Sequence, residues 1–497
     1  MQHDLLYPRP SFAKATEGRS KTRQTYYDFI KFGFVKVFCV FLFFFVFPGK
    51  VSAAALTSVS NVPWSSDISV TGKHTVKFTI VTAVPADGKI VINFPSGFTV
   101  SSATFDSWSG FDGGRSLSVS GQVVTITRDN TGTSSTAGAK YIVLAGITNN
   151  SSAASTYTAT VETQDSSSST LDGVTTSASF STTATSDGLD TTAPWPMRGH
   201  DNRQSFLGTA TAPDYPTLAW KFNFIDNDYH DGAVEDSNGI IYINGTTNVY
   251  ALNTDGSTKW SVAQSRGTSA GTMLTTNSRL VIWYRNGFVE SRSISDGSLV
   301  WSYASSIGTD AGSLSMGPDG TILIATNSTG MEGINSDGTR KFYNSATSSR
   351  DGTPAVDSTT GEIYTFDDGA SAGHYPDGTF KWSATGAPGG SVGNPAQLNF
   401  SGSIVCGISR STPNSGSACL NTSNGSNLWS VSTPGGLGIS YTQGAWSPDS
   451  SIFYTMQNPA FTVSARNATT GVANWTQSYV GGYGYAGSGN LIVDANN

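Results

Sequence analysis

Charge is scarce in these 497 residues: charged side chains make up 13%, and the net charge is −7. No basic field is available to neutralise a phosphate backbone, so no nucleic-acid partner is expected. Cysteine is nearly absent, at three residues, and no Cys-x-x-Cys-His exists for a c-type haem. Four of the five histidines, His74, His200, His230 and His374, are scattered without ligand spacing, so no zinc site is expected. No motif here is assigned to a hydrolase or a nucleotide enzyme. Sustained helical periodicity is missing as well. Short Val/Ile/Thr/Tyr runs between turn residues, in a chain with 55 glycines, predict an all-β protein of more than one domain.

One long apolar run stands out, Val37 to Phe47, after Lys21, Arg23, Lys31 and Lys36 and before Pro48-Gly49. It is shorter than the roughly 20 residues that a membrane span needs. With the small residues Ala53-Ala54-Ala55 behind it, 1–55 reads as an N-terminal extension and a cleaved export signal. Cys39 follows Phe38 rather than Gly or Ala, against a lipoprotein anchor. The expected location is secreted or at the cell surface. In an oxidising compartment the remaining pair, Cys406 and Cys419, is expected to join, since the two align with neighbouring antiparallel strands.

Residues 56–181 carry strands without a long period: Thr75 to Ile80, Lys89 to Asn93, Gln122 to Ile126, Tyr141 to Leu144 and Tyr157 to Val161. Several such strands in this length predict an immunoglobulin-like β-sandwich. The stretches Gly88 to Phe98 and Tyr157 to Asp165 resemble sandwich modules repeated in bacterial surface proteins. A Ser/Thr/Asp/Gly-rich stretch, 182–194, reads as a flexible linker.

From 195 onwards the chain repeats. A turn and an aromatic residue return about every forty residues: Asp255-Gly256 to Trp260, Asp296-Gly297 to Trp301, Asp337-Gly338 to Phe342. Asp377-Gly378 to Trp382, Asn424-Gly425 to Trp429 and Thr470-Gly471 to Trp475 follow, and Trp220 stands where an earlier copy would end. Such a period marks stacked four-stranded blades. Each aromatic is expected to dock between blades, burying on the order of 200 Å² per tryptophan. Phe342 fills the place once, so that junction is expected to be looser. Six intervals run from Trp220 to Trp475. The outer strand 217–223 is expected to close a seven- or eight-bladed ring, with an inner strand still lacking, so the sequence reads as cut short at its C-terminus.

The opening Trp195-Pro196-Met197-Arg198-Gly199-His200-Asp201, with Ala465 to Trp475 and Cys419 to Trp429, resembles the pyrroloquinoline-quinone-like repeat propellers. That resemblance implies a quinone held over adjacent cysteines, calcium on carboxylate and amide groups, and an aspartate base. Here Cys406 and Cys419 are not adjacent, so no cofactor, metal or catalytic residue is assigned. Asp226 to Gly232 looks like a calcium loop, but His230 occupies the third ligand place and Asp231 comes one place late; it reads as an entry loop. Trp108, Trp283 and Tyr284, with Tyr479, Tyr483 and Tyr485, are the candidates for stacking on a sugar. The expected function is a non-enzymatic binding or scaffold protein for a surface protein or glycan, meeting a membrane only through an anchor not present in this chain. The alternatives are a quinone- and calcium-dependent oxidoreductase and an envelope-assembly scaffold.

Overall fold

Alternating apolar side chains build the first pair of sheets. The computed structural model describes residues 53–183, 188–208, 218–223, 232–307, 313–326, 330–345, 353–366, 371–384, 395–409, 416–432, 444–457, 462–478 and 491–493. The apolar run of the leader, the loop around His230 and the three tyrosines after 478 lie outside them. One sheet orders Ala54–Ala55, Thr170–Thr176, Thr160–Gln164, Lys89–Asn93, Val123–Arg128 and Arg115–Ser120. The other orders Thr57–Pro63, Thr71–Ile80, Gly138–Thr148 and Thr104–Ser109. Ile90, Ile92, Val124 and Ile126 of the first meet Val76, Phe78, Ile142 and Leu144 of the second in one core. The result is a two-layer sandwich, because each strand turns every second residue inward. His74 is sealed in this core, bonded to Asn61 and Asn149. Burial keeps its imidazole neutral, pushing its pKa down to about 4.

Six four-stranded antiparallel sheets follow, each formed by consecutive strands. These are blades one to six, at 234–263, 269–304, 315–344, 355–384, 397–432 and 445–478. The chain is a β-propeller carrying a sandwich. The Asp-Gly pairs form the turns into the outer strands. Asp255 Oδ1 accepts from the Ser257 amide at 2.9 Å and from its hydroxyl at 2.6 Å, and Asp296, Asp337 and Asp377 repeat the arrangement.

Four tryptophans of the repeat reach across to the following blade. Each indole N–H of Trp260, Trp301, Trp382 and Trp429 donates to a backbone carbonyl of the next blade, at 2.6–3.0 Å. Each ring covers the glycine of that blade's turn. At Gly425, φ is +73°, and a Cβ would lie 2.5 Å from the Trp382 ring. Glycine is therefore required there twice over, by conformation and by contact. Trp220 makes the same bond to Thr254 at 2.9 Å and covers Gly256, so 218–223 occupies an outer-strand place beside blade one. The disulfide joins Cys406 to Cys419, directly opposite one another in blade five, with Cα atoms 4.1 Å apart.

Candidate functional site

The segment that opens the propeller does not form a blade. Residues 195–208 run around the inside of the ring and bond to its innermost strands. The Trp195 carbonyl accepts from Glu235 of blade one at 2.9 Å, and the Pro196 carbonyl from Leu274 of blade two at 2.8 Å. Gln204 Nε2 donates to Ser315 Oγ of blade three at 3.3 Å. The carbonyls of Asn202, Arg203 and Ser205 accept from Val356, Leu398 and Trp446 of blades four, five and six, at 2.7, 2.9 and 3.2 Å. Gly208 and Phe206 then exchange bonds with Val493, so 491–493 meets this segment as the innermost strands of the blades do. We call this segment the axial strap.

Local chemistry shapes it. Asp201 Oδ1 accepts from the amides of Arg203 and Ser205, and its Oδ2 from the Ser205 hydroxyl at 2.8 Å. His200, Gln204 and Phe206 adopt positive φ angles of 74°, 57° and 53°. Such a conformation is costly for bulky side chains and persists only where surrounding bonds fix it. Gln204, Ser205 and Phe206 are buried. Burial also lowers the His200 imidazole below its usual range, against the pull of Asp201.

The strap's partners lie beside the turns between first and second strands, so it crosses that end of the channel. The sandwich meets the ring at the same end, on blades three and four. Lys341 Nζ donates to Asp319 Oδ2 at 2.7 Å, to Thr321 Oγ1 at 3.0 Å and to the Trp64 carbonyl of the sandwich at 3.1 Å. Ser66 of the sandwich donates to Asp319 Oδ2 through its amide (3.3 Å) and its hydroxyl (3.4 Å). Trp64 stacks on Tyr375 of blade four with centroids 5.1 Å apart, and Lys77 faces Asp377 at 3.8 Å. Val62 is buried with Leu323, Phe342, Val356 and Ile363. Asp319 is sealed; burial alone would raise its carboxyl, but Lys341 holds it below the usual range. A cleft of about 300 Å³ opens beside these contacts, lined by Trp64, Asp67, Lys73, Asp319, Thr360 and Pro376.

The other sequence candidates are placed plainly. Trp283 and Tyr284, offered as sugar-stacking residues, are 1% and 0% exposed inside blade two and present no face to a ligand. The second strand of a blade is covered on both sides, which a surface reading overlooks. Trp108 packs on Phe105 and Phe111, with the Arg115 guanidinium 4.7 Å over its ring. Trp475 is 48% exposed, unlike Trp382 and Trp429 at 9% and 8%. Phe342 is 5% exposed under Val62, and Asn344 Nδ2 donates to the Gly378 carbonyl at 2.6 Å, so the junction expected to be looser is bonded and covered. The stretch read as a flexible linker includes Leu189 and Ala193, both buried among blade residues. Sequence reasoning missed the strap and the sandwich contact entirely; the clustering of Gly199, Asp201 and Pro196 was the available signal for a tight segment.

No family model matches the chain, and no curated protein matches it. Among solved structures it is similar to BamB from Moraxella catarrhalis, at 16% identity and a TM-score of 0.42, over 53% of this chain and 80% of that one. A europium-containing methanol dehydrogenase aligns at 11% identity and 0.43, over 58% and 78%. The quinohemoprotein alcohol dehydrogenase of Comamonas testosteroni aligns at 13% identity and 0.45, over 61% and 69%.

The disulfide of this chain does not fit a quinone held over adjacent cysteines. Cys406 and Cys419 face each other across two strands, separated by 13 positions, and both are fully buried. Among the described residues, no three His, Cys, Asp or Glu side chains gather as a metal ion would need, and no helix is long and apolar enough to cross a membrane.

Proposed function

We propose that this chain is an exported, non-enzymatic binding or scaffold protein that uses its propeller as a rigid disc for a surface protein or glycan. In this reading 56–181 is an immunoglobulin-like module, 182–194 connects it, and 195–497 is the recognition disc, working in the secreted space or at the cell surface. The observation that carries it is the axial strap: the chain's own backbone bonds to inner strands around the ring, where an axial ligand would otherwise lie at that end. Buried carboxylates are committed in the same structural way. Glu290 bonds Arg266 and Arg292, Glu332 takes bonds from Tyr303 and Ser306, and Asp236 takes one from Tyr242. A disc held this firmly suits recognition through its loops. The connections at the opposite end of blades three to six lie outside the described residues.

The test is a titration of the purified chain with pyrroloquinoline quinone and calcium, with dye reduction by added alcohols, beside a panel of surface glycans and proteins. Saturable glycan or protein binding without turnover supports the reading. Saturable quinone binding with calcium-dependent dye reduction overturns it in favour of the oxidoreductase.

A further inference from the structure

Asp67 stands at the contact between sandwich and propeller with one carboxylate oxygen, Oδ1, sealed from water and without a hydrogen-bond partner. Its backbone is pinned on both sides: Asn149 Nδ2 donates to its carbonyl at 2.8 Å, and its own amide donates to Ser65 Oγ at 3.3 Å. The nearest charges come from blade three, the Asp319 carboxylate and the Lys341 ammonium, and that ammonium is already taken by Asp319. From the sandwich only the Ser65 and Thr183 hydroxyls reach it. A second carboxylate thus faces a pair that is already neutral, and Lys341 with the Ser65 and Thr183 hydroxyls offsets its charge only in part. The cleft beside the contact includes Asp67 in its wall, so protons reach it without unfolding.

We infer that the sandwich is held on blades three and four by a proton-dependent latch, in which neutral Asp67 favours the docked arrangement and ionised Asp67 loosens it. The chemistry is desolvation first and repulsion from Asp319 second, and together these raise the Asp67 carboxyl to about 6 from an ordinary 3.8. The sign follows from linkage. A group that binds its proton more tightly when docked favours docking fully below the undocked value and loses that contribution as pH rises through the docked one. The loosening therefore develops as pH rises through about 6. His74 lies in the sandwich core and His374 inside blade four, and burial pushes both down to about 4; at the contact Tyr141 and Tyr375 are raised by burial, and Lys341 holds Asp319 low. Lys77 with Asp377, and Lys73 with Asp106, are paired across or beside the contact.

Hydrogen exchange of the full chain at several pH values, corrected for the intrinsic rate, reads the latch directly. Peptides covering 60–68 and 317–323 should lose protection by up to about tenfold from pH 5 to pH 8, the span that such a displaced carboxyl allows. Peptides around Phe78 and Ile142 in the sandwich core serve as the internal reference and should hold theirs. Asp67→Asn, which copies the neutral form in shape, should keep the contact protected at pH 8. The latch is overturned by contact peptides whose protection does not change with pH, by a loss that persists in Asp67→Asn, or by an equal loss in the core peptides.

Discussion

Two neighbouring junctions of the ring solve the same problem differently. Between blades two and three, Trp301 covers Gly338 and donates to the Ser336 carbonyl at 3.0 Å. Farther along the same interface, Glu332 takes bonds from the Tyr303 hydroxyl at 2.6 Å and from the Ser306 hydroxyl at 3.1 Å. The cover there comes from the propeller itself, and the sandwich adds one bond at the same turn, between the Ser181 and Thr339 hydroxyls at 3.1 Å. Between blades three and four a phenylalanine replaces the tryptophan, and no ring N–H is present. Asn344 supplies the missing bond two residues later, and the sandwich supplies the cover through Val62, Trp64 and Ser66. The position that departs from the repeat is the position at which another part of the chain docks. A broken repeat in a propeller therefore marks a place to look for a partner.

That comparison is open to breaking. The largest effect is expected at a regular junction: Trp382→Ala removes a buried ring and its 2.6 Å bond to Thr422, costing about 3–5 kcal/mol. Trp475→Ala, at a half-exposed ring, should cost under about 1 kcal/mol. Denaturant midpoints of the two variants decide it, and equal losses would mean that docking does not depend on burial. At the irregular junction, Lys341→Met leaves Asp319 buried without its cation and should cost about 3 kcal/mol, with proteolysis between sandwich and ring as the second readout. Blade five adds a covalent tie that the other blades lack. Replacing both Cys406 and Cys419 by alanine frees a short loop and should lower stability by about 2–3 kcal/mol in the same melts. Smaller than the disulfide's effect is that of Phe342→Trp, which restores the repeat. It should destabilise by about 1–2 kcal/mol through overpacking against Gly378 and Val62, and a gain instead would show the phenylalanine to be a plain defect.

The repeat was legible because one turn glycine and one aromatic per blade must recur for physical reasons: the positive φ, the ring contact and the indole bond. The sandwich strands were legible from alternation, and the disulfide from register, since Cys406 and Cys419 oppose each other. The strap was not. Its bonds run mostly through backbone carbonyls to residues from 235 to 493, and backbone partners leave no mark on side-chain pattern. Its left-handed residues are His200, Gln204 and Phe206, for which no composition rule anticipates that conformation. The sandwich contact was hidden for another reason. Trp64, Ser66, Asp67 and Lys341 are ordinary surface types, and only the fold brings residues more than 250 positions apart into one cluster. Trp283 and Tyr284 misled because an aromatic pair in a doubly covered strand looks, in sequence, like one on a rim.

The strap also bears on the order in which the molecule is made. An innermost strand is an open edge until something pairs with it, and open edges invite wrong pairing. Residues 195–208 leave the ribosome, and cross any export channel, before the first strand of blade one at Val234. Each new blade therefore finds the partner for its bare inner edge already delivered, and the ring grows around a thread laid down in advance.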